Sequence, residues 1–400
     1  MEDVLSRFEQ TAKNVLRLMR DTLQARTFFI ATTTKQRFKI VEVINTNDGC
    51  TIPSFVDEPL EKSYCSIVAK TATPLFIENT SLSYLVKNLE VTKEYSIGSY
   101  AGVPILLEDN TVFGTLCALD PMPYRVTLED VEKLQSYALL ISNAIELETV
   151  FRKLKTYEIQ TKKELELARK VQNSVLSKDY EDEYLRIHNI FLPSSQLSGD
   201  LFFWFPIHEK KYGVLVLDVM GHGVSSALIG MSLKALIQLA STESICPKEM
   251  MKKLNTEFYR LFGDFEEVIT YVTGIYLVID VENMMVEYSN AGHPPGYLLI
   301  DKQLYPLEKG SLPLGLIKQI SIESEQIPIT ETCEVMLYTD GLIDALKTES
   351  TSARQMITNH VEIAIQSKCS IVDYVKKELS APHYEDDICF VHVEILATKR

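Results

Sequence analysis

Four acidic positions in the second half of this 400-residue chain recur in one local setting: an apolar strand-like run, an aspartate and a turn of small residues. They are Leu197-Ser198-Gly199-Asp200, Leu217-Asp218-Val219-Met220-Gly221-His222-Gly223, Leu337-Tyr338-Thr339-Asp340-Gly341 and Glu385-Asp386-Asp387-Ile388. One such aspartate is ordinarily a turn residue. Four of them, read as ends of strands, imply carboxylates converging on the rim of a sheet. Like charges that close together are tolerable only when a cation offsets them. Oxygen-only donors select hard ions, Mg²⁺ or Mn²⁺. Two histidines also stand out: His222 between two glycines reads as a proton donor or as a cap of the following helix, and His293 before Pro294-Pro295 reads as a structural turn residue ahead of a catalytic one.

The elements that must position these groups follow from periodicity. A first helix is expected over Val4–Leu23, with Phe8, Ala12, Val15, Leu16 and Met19 on one face. Short β-branched or aromatic runs at 28–31, 38–44, 74–77, 99–107 and 112–119 read as strands, the last two joined by a hairpin at Glu108-Asp109-Asn110. From Thr127, a predicted N-cap, a helical pattern runs through Leu140, Ala144, Leu147, Phe151, Leu154, Leu165, Ala168 and Val175 with four-three spacing, polar breaks at Glu158, Thr161 and Gln172, and no Gly or Pro. That length outruns one domain face, which favours a coiled coil over an amphipathic helix lying on its own domain. Beyond Asp179, strands are expected at 212–217, 271–279, 284–288, 334–338 and 388–395, and helices at 225–242, 247–262 and 352–367. The fold class is therefore α+β with a largely antiparallel core. The expected organisation is an N-terminal domain over 1–150, a helical coiled-coil linker over 151–179 and a third region over 180–400.

Composition narrows the class further. No apolar run reaches the roughly 20 residues of a membrane-spanning helix, and the N-terminus lacks the pattern of a secretory signal. Seven dispersed cysteines match neither a zinc spacing nor a disulfide framework, as expected of reduced thiols in a cytoplasmic protein. Cys65 and Cys117 read as buried filler ahead of reactive thiols or a chromophore attachment point. A net charge of −15 argues against nucleic acid or an anionic membrane as a partner.

The stretch from about Ala168 to Val393 resembles the SpoIIE-like branch of the PPM protein phosphatases. The resemblance rests on Ala168…Val171-Gln172…Leu176, Ser198-Gly199-Asp200, Asp218 to Gly223, Asn290-Ala291-Gly292-His293-Pro294-Pro295, Tyr338 to Leu342 and Asp386-Asp387-Ile388, in the family's order. It implies a β-sandwich flanked by helices and a centre of two Mn²⁺ or Mg²⁺ ions. Carried over by position, Asp218 resembles the ligand bridging both ions, Asp340 and Asp386 ligands of one, and Asp200 and the Val219 carbonyl ligands of the other. Asp387 neighbours the ligand of its motif and is the less favoured member of that doublet. Asp218 and Asp340 are accordingly the candidate catalytic residues. Cys389 stands where the family usually has Thr, and Val219 where other branches often have Gly.

Residues 1–150 resemble a GAF domain through Phe76-Ile77-Glu78-Asn79, Tyr100 to Ile105, Gly114 to Asp120 and Thr127-Leu128-Glu129-Asp130. The ligand is left unknown. Together the resemblances imply a signal-regulated, metal-dependent serine/threonine protein phosphatase acting on an anti-anti-sigma (STAS) type regulator, dimeric through the linker helix. The alternatives are a non-catalytic scaffold with a phosphatase-like docking domain and, less favoured, a hydrolase of a small phosphorylated metabolite.

Overall fold

Period-two alternation governs both halves of the chain, which the computed structural model describes for residues 2–243, 246–263, 270–330, 333–346, 353–366, 369–379, 381 and 383–396. Two compact units divide it, Met1–Gln160 and Thr161–Arg400. The first contains α1 (Glu2–Thr22), β1 (Thr27–Thr33), β2 (Arg37–Asn45), β3 (Asp57–Pro59), α2 (Cys65–Thr71), β4 (Leu75–Ile77), α3 (Glu90–Glu94), β5 (Ser99–Leu106), β6 (Val112–Asp120) and the start of α4 (Leu128–Val175). Its antiparallel sheet runs β3-β2-β1-β6-β5-β4.

Alternate residues of each strand serve opposite faces of that sheet. Phe28 and Ile30 pack with Leu16 and Met19 of α1 and Leu134 and Ile141 of α4. Phe29 on the other face joins Tyr64, Cys65, Tyr100 and Cys117; Phe29, Tyr64, Cys65 and Tyr100 line a mostly apolar pocket of about 40 Å³ with Phe38, Tyr95, Leu119 and Glu58. Cys65 and Cys117 are both buried there. Arg26 closes one end of the unit with a two-pronged pair to the fully buried Asp120, over 2.8 and 2.6 Å. The expected N-cap holds: Asp130 accepts from the Thr127 amide at 2.8 Å while its own amide donates to the Thr127 hydroxyl at 3.3 Å.

Helix α4 is continuous for 48 residues, so no break marks residue 151. Leu140, Leu147, Phe151 and Leu154 of the four-three pattern are exposed on it.

The second unit contains β7 (Tyr180–Glu181), β8 (Leu185–Leu192), β9 (Asp200–His208), β10 (Lys211–Val219), α5 (Val224–Glu243), α6 (Pro247–Phe262), β11 (Val272–Asp280), β12 (Met285–Ala291) and β13 (Gly296–Ile300). There follow β14 (Gln303–Leu307), β15 (Gly310–Ser311), β16 (Glu325–Pro328), β17 (Cys333–Tyr338), α7 (Asp340–Leu346), α8 (Ala353–Gln366), α9 (Ile371–Glu378) and β18 (Ile388–Ile395). The predicted ends of α8, Ser352 and Ser367, lie outside the described residues. One sheet runs β15-β12-β11-β10-β9 with β16 on β12, the other β14-β13-β17-β18-β8-β7.

Val214, Val216, Ile275 and Leu277 of the first sheet meet Leu298, Val335, Leu337, Val391 and Val393 of the second. The intervening residues face outward: Leu215 and Tyr276 towards α5 and α6, Met336 and Phe390 towards α8 and α9. This is the expected sandwich with helices on both faces. By length and composition Val224–Ser241 of α5 would pass for a membrane span, but Leu233, Ile237 and Ala240 pack onto the first sheet.

Candidate metal centre

Strand parity carries the acidic residues to one rim of the sandwich. In β10 the inward set Tyr212, Val214 and Val216 continues to Asp218. Asp218 lies opposite Asp200 of β9 on one side and Thr273 of β11 on the other. The second sheet brings the end of β17 and the start of β18 to the same rim, and Thr339 joins the two sheets: its hydroxyl donates to Asp200 Oδ2 over 2.7 Å and accepts from the Cys389 amide at 2.9 Å.

One expectation needs correction. Not all four acidic motifs follow strands: Asp200 opens β9, and Asp386 and Asp387 precede β18. Antiparallel pairing explains why they still meet, because the start of one strand lies beside the end of its neighbour. Asp340 follows β17 and also opens α7.

Electrostatics follows from this crowding. Burial, then the Asp218 charge, raises the Asp200 carboxyl well above the usual range, and Thr339 opposes the rise. Burial, then Asp340 and Asp386, pushes Asp218 up to about 7, which the Thr273 hydroxyl counters by donating to it. Asp340 stands at the exposed lip, yet it too is raised, by partial burial and then by Asp386. The charged forms thus oppose one another across the rim. Among the described residues no three His, Cys, Asp or Glu side chains converge on one point as a ready-made metal cage. The donor set nevertheless fits a hard divalent ion: it is all oxygen, it spans two sheets, and positive charge is what it lacks.

The aspartate doublet divides its labour. Asp387 is buried, and its carboxylate accepts from the Ser194 amide at 2.7 Å, the Ser194 hydroxyl at 2.9 Å and the Gly199 amide at 2.8 Å. Those bonds hold the loop that delivers Asp200. Asp386 is half-buried and accepts from the Asp387 amide over 2.8 Å. Around Val219, a Cβ at Gly199 would stand 2.9 Å from the Val219 carbonyl oxygen and 3.0 Å from that of Gly221. Gly221 and Gly223 both have positive φ, so the turn after β10 is one that glycine permits. His222 is exposed on that turn. His293 is buried instead, its Nδ1 2.9 Å from the Thr273 hydroxyl.

The structure adds residues that the motif spacing did not single out. Thr339, Thr273 and Ser194 hold carboxylates in place; Thr339 lies inside the Asp340 motif, whereas Thr273 and Ser194 lie outside every motif and only their place beside Asp218 and Asp387 marks them. Gln172 near the end of α4 is buried and brackets the Ser198 backbone: its Nε2 donates to the Ser198 carbonyl at 2.7 Å and its Oε1 accepts from the amide at 3.2 Å.

Comparison with known proteins agrees with this architecture. Residues 208–396 match the model of the stage II sporulation protein E (SpoIIE) family, and residues 7–145 match that of the GAF domain. The chain is 37% identical over 241 residues to phosphoserine phosphatase RsbP of Bacillus subtilis (strain 168), covering 60% of this chain and 59% of that protein. It is 26% identical over 194 residues to phosphoserine phosphatase RsbU of the same organism, covering 48% and 56%. It therefore spans under two thirds of the length of these relatives. The SiaA-PP2C domain of Pseudomonas aeruginosa is similar in fold, with a TM-score of 0.50 at 17% identity over 60% of this chain and 98% of that one. The chain thus carries a region that matches the GAF-domain model ahead of one that matches the SpoIIE model.

Proposed function

We propose that this protein is a metal-dependent phosphatase that hydrolyses phosphoserine or phosphothreonine on a protein substrate. The observation that carries the reading is Asp218, placed in register with Asp200 on one sheet and raised by the charges of Asp340 and Asp386 from the other. Asp200, Asp218, Asp340 and Asp386, with the Val219 carbonyl, would hold two Mn²⁺ or Mg²⁺ ions, and Asp387 would fix the Asp200 loop. Such ions, when bound, lower the pKa of water and neutralise phosphoryl oxygens. The protein's own part is placement: Thr339 orients Asp200, Thr273 donates to Asp218, and the open turn at Gly221–Gly223 leaves the rim accessible. No protein nucleophile is required.

The names of the relatives RsbP and RsbU support the phosphoserine ester, and the family resemblance supports a STAS-type regulator as substrate in a cytoplasmic setting. The exposed row Leu140, Leu147, Phe151 and Leu154 supports a homodimer through α4; light scattering that shows a monomer at micromolar concentration would remove it. The activity itself is tested by phosphate release from a phosphoserine peptide with Mn²⁺ and with a chelator. Release only with the ion supports the reading. Release that survives the chelator contradicts it, and silence under both conditions favours a docking scaffold.

A further inference from the structure

His293 has a buried imidazole that its loop does not need. The turn after β12 is closed by Asn290, whose Oδ1 accepts from the His293 amide at 2.8 Å and whose Nδ2 donates to the His293 carbonyl at 3.0 Å. Gly292 supplies the positive φ. Any residue at 293 would receive those two backbone bonds. The ring is 5% exposed, and its Nε2 has no hydrogen-bond partner. Among the described residues the ring's Nδ1 lies 2.9 Å from the Thr273 hydroxyl, and the Tyr338 backbone is near enough to act on the ring.

Thr273 is the cross-strand neighbour of Asp218. Its inward parity, shared with Ile275 and Leu277, aims the hydroxyl at the same rim. A threonine hydroxyl has one proton to give, and a carboxylate has none. When Thr273 donates to Asp218, its oxygen must accept from His293 Nδ1–H. That assigns the proton to Nδ1 for as long as Thr273 donates to Asp218. Burial pushes the imidazole pKa down to about 3, against a weaker opposing effect of the Tyr338 backbone. The ring therefore stays neutral, and its contribution is directional.

We infer that His293 is a positioning residue of the carboxylate centre: it fixes the Thr273 hydroxyl, which in turn fixes the orientation of the Asp218 carboxylate. The inference rests on the reading of Asp218 as a metal ligand. Partners that orient a ligand from behind commonly change metal affinity or activity by about 10- to 100-fold when removed.

The test is a calorimetric titration of the full chain with Mn²⁺, run beside phosphate release from a phosphoserine peptide. Thr273→Val and His293→Leu are expected to weaken Mn²⁺ binding about tenfold or more and to lower kcat with little change in KM. Thr273→Ser, which keeps the hydroxyl, should match wild type, and His293→Asn, whose amide can donate near the Nδ1 position, should recover part of the loss. The Thr273→Val/His293→Leu double variant should be no worse than the more damaged single, because both cut one chain of contacts.

Unchanged Mn²⁺ affinity in Thr273→Val overturns the inference without reference to how His293 variants fold. Additive losses in the double variant also overturn it, since they would give His293 a separate structural role. Asp218→Asn separates the two levels of the argument. If it binds Mn²⁺ as wild type does, or if wild type binds none, the reading of the site fails and the relay with it. If Asp218→Asn loses binding and Thr273→Val retains it, the relay alone fails.

Discussion

A single methyl group at Gly341 should disable the site without touching a carboxylate. Gly341 lies in the first turn of α7, one residue after Asp340, with its Cα facing the Asp386–Asp387 loop. A Cβ built there stands 2.0 Å from the Asp387 carbonyl oxygen, 2.9 Å from its carbon and 3.3 Å from the Asp386 carbonyl carbon. Ordinary contact begins near 3.4 Å, so backbone must move by about an ångström, and no flexible side chain can absorb the overlap. Overpacking of this kind costs about 1–3 kcal/mol. The larger effect is on geometry, because the displaced loop carries Asp386 towards or away from Asp340 and strains the bonds from Asp387 to Ser194 and Gly199. A misplacement of about 1 Å is able to cost about 100-fold in rate. Gly341→Ala should therefore lower kcat for Mn²⁺-dependent phosphate release about 100-fold while the chain still folds, as circular dichroism would show. Near-wild-type kcat would refute the reasoning, since it would mean that the spacing of Asp340 and Asp386 is not critical.

Other perturbations probe the supports. Gln172→Leu strands the buried Ser198 amide and carbonyl, each worth about 1–3 kcal/mol when unpaired; lower thermal stability and lower activity are expected, and wild-type values on both would contradict the bracing role. Arg26→Ala leaves the fully buried Asp120 with the Met122 amide but no guanidinium, so the N-terminal unit should lose about 1–3 kcal/mol, read as a loss of hydrogen-exchange protection there. Asp120→Asn in the same chain should return part of that loss. His293 gives a pH dependence. Its folded pKa of about 3 lies below the unfolded value of 6.5, so the unfolded chain binds the extra proton; the stabilisation is present above pH 6.5 and falls away towards pH 3. At pH 5 the loss is about 2 kcal/mol. The melting temperature of the C-terminal unit should drop more between pH 7 and pH 5 in wild type than in His293→Asn; parallel curves would contradict the burial argument.

Much of this was legible from residue pattern. The Pro247–Phe262 helix, the strands at β10, β11 and β18, and the Thr127 cap follow from local periodicity and capping, which act within a few residues. The acidic motifs also stood out, because aspartate beside glycine is a local signal. What stayed hidden depends on pairing between distant strands. Asp200 was read at the end of a strand although it begins one, since sequence alone does not say which neighbour it will join. Asp387 looks like its neighbour Asp386 in sequence, and only the reach of Ser194 and Gly199 from nearly 200 residues away tells them apart. Thr339 lies inside the Asp340 motif, but its bridging role shows only once the two sheets are placed rim to rim. The GAF resemblance located the N-terminal fold, while its small pocket is lined mostly by apolar side chains with Glu58 as its charged member, a pattern that names no ligand in the sequence.

The most direct test of the central claim is phosphate release from a phosphoserine peptide by the full chain in Mn²⁺, comparing wild type with Asp218→Asn and Asp340→Asn. The account predicts turnover in wild type that a chelator abolishes, and loss of that turnover in both variants with their melting curves intact. Undiminished release by Asp218→Asn would contradict it and place the chemistry elsewhere in the molecule.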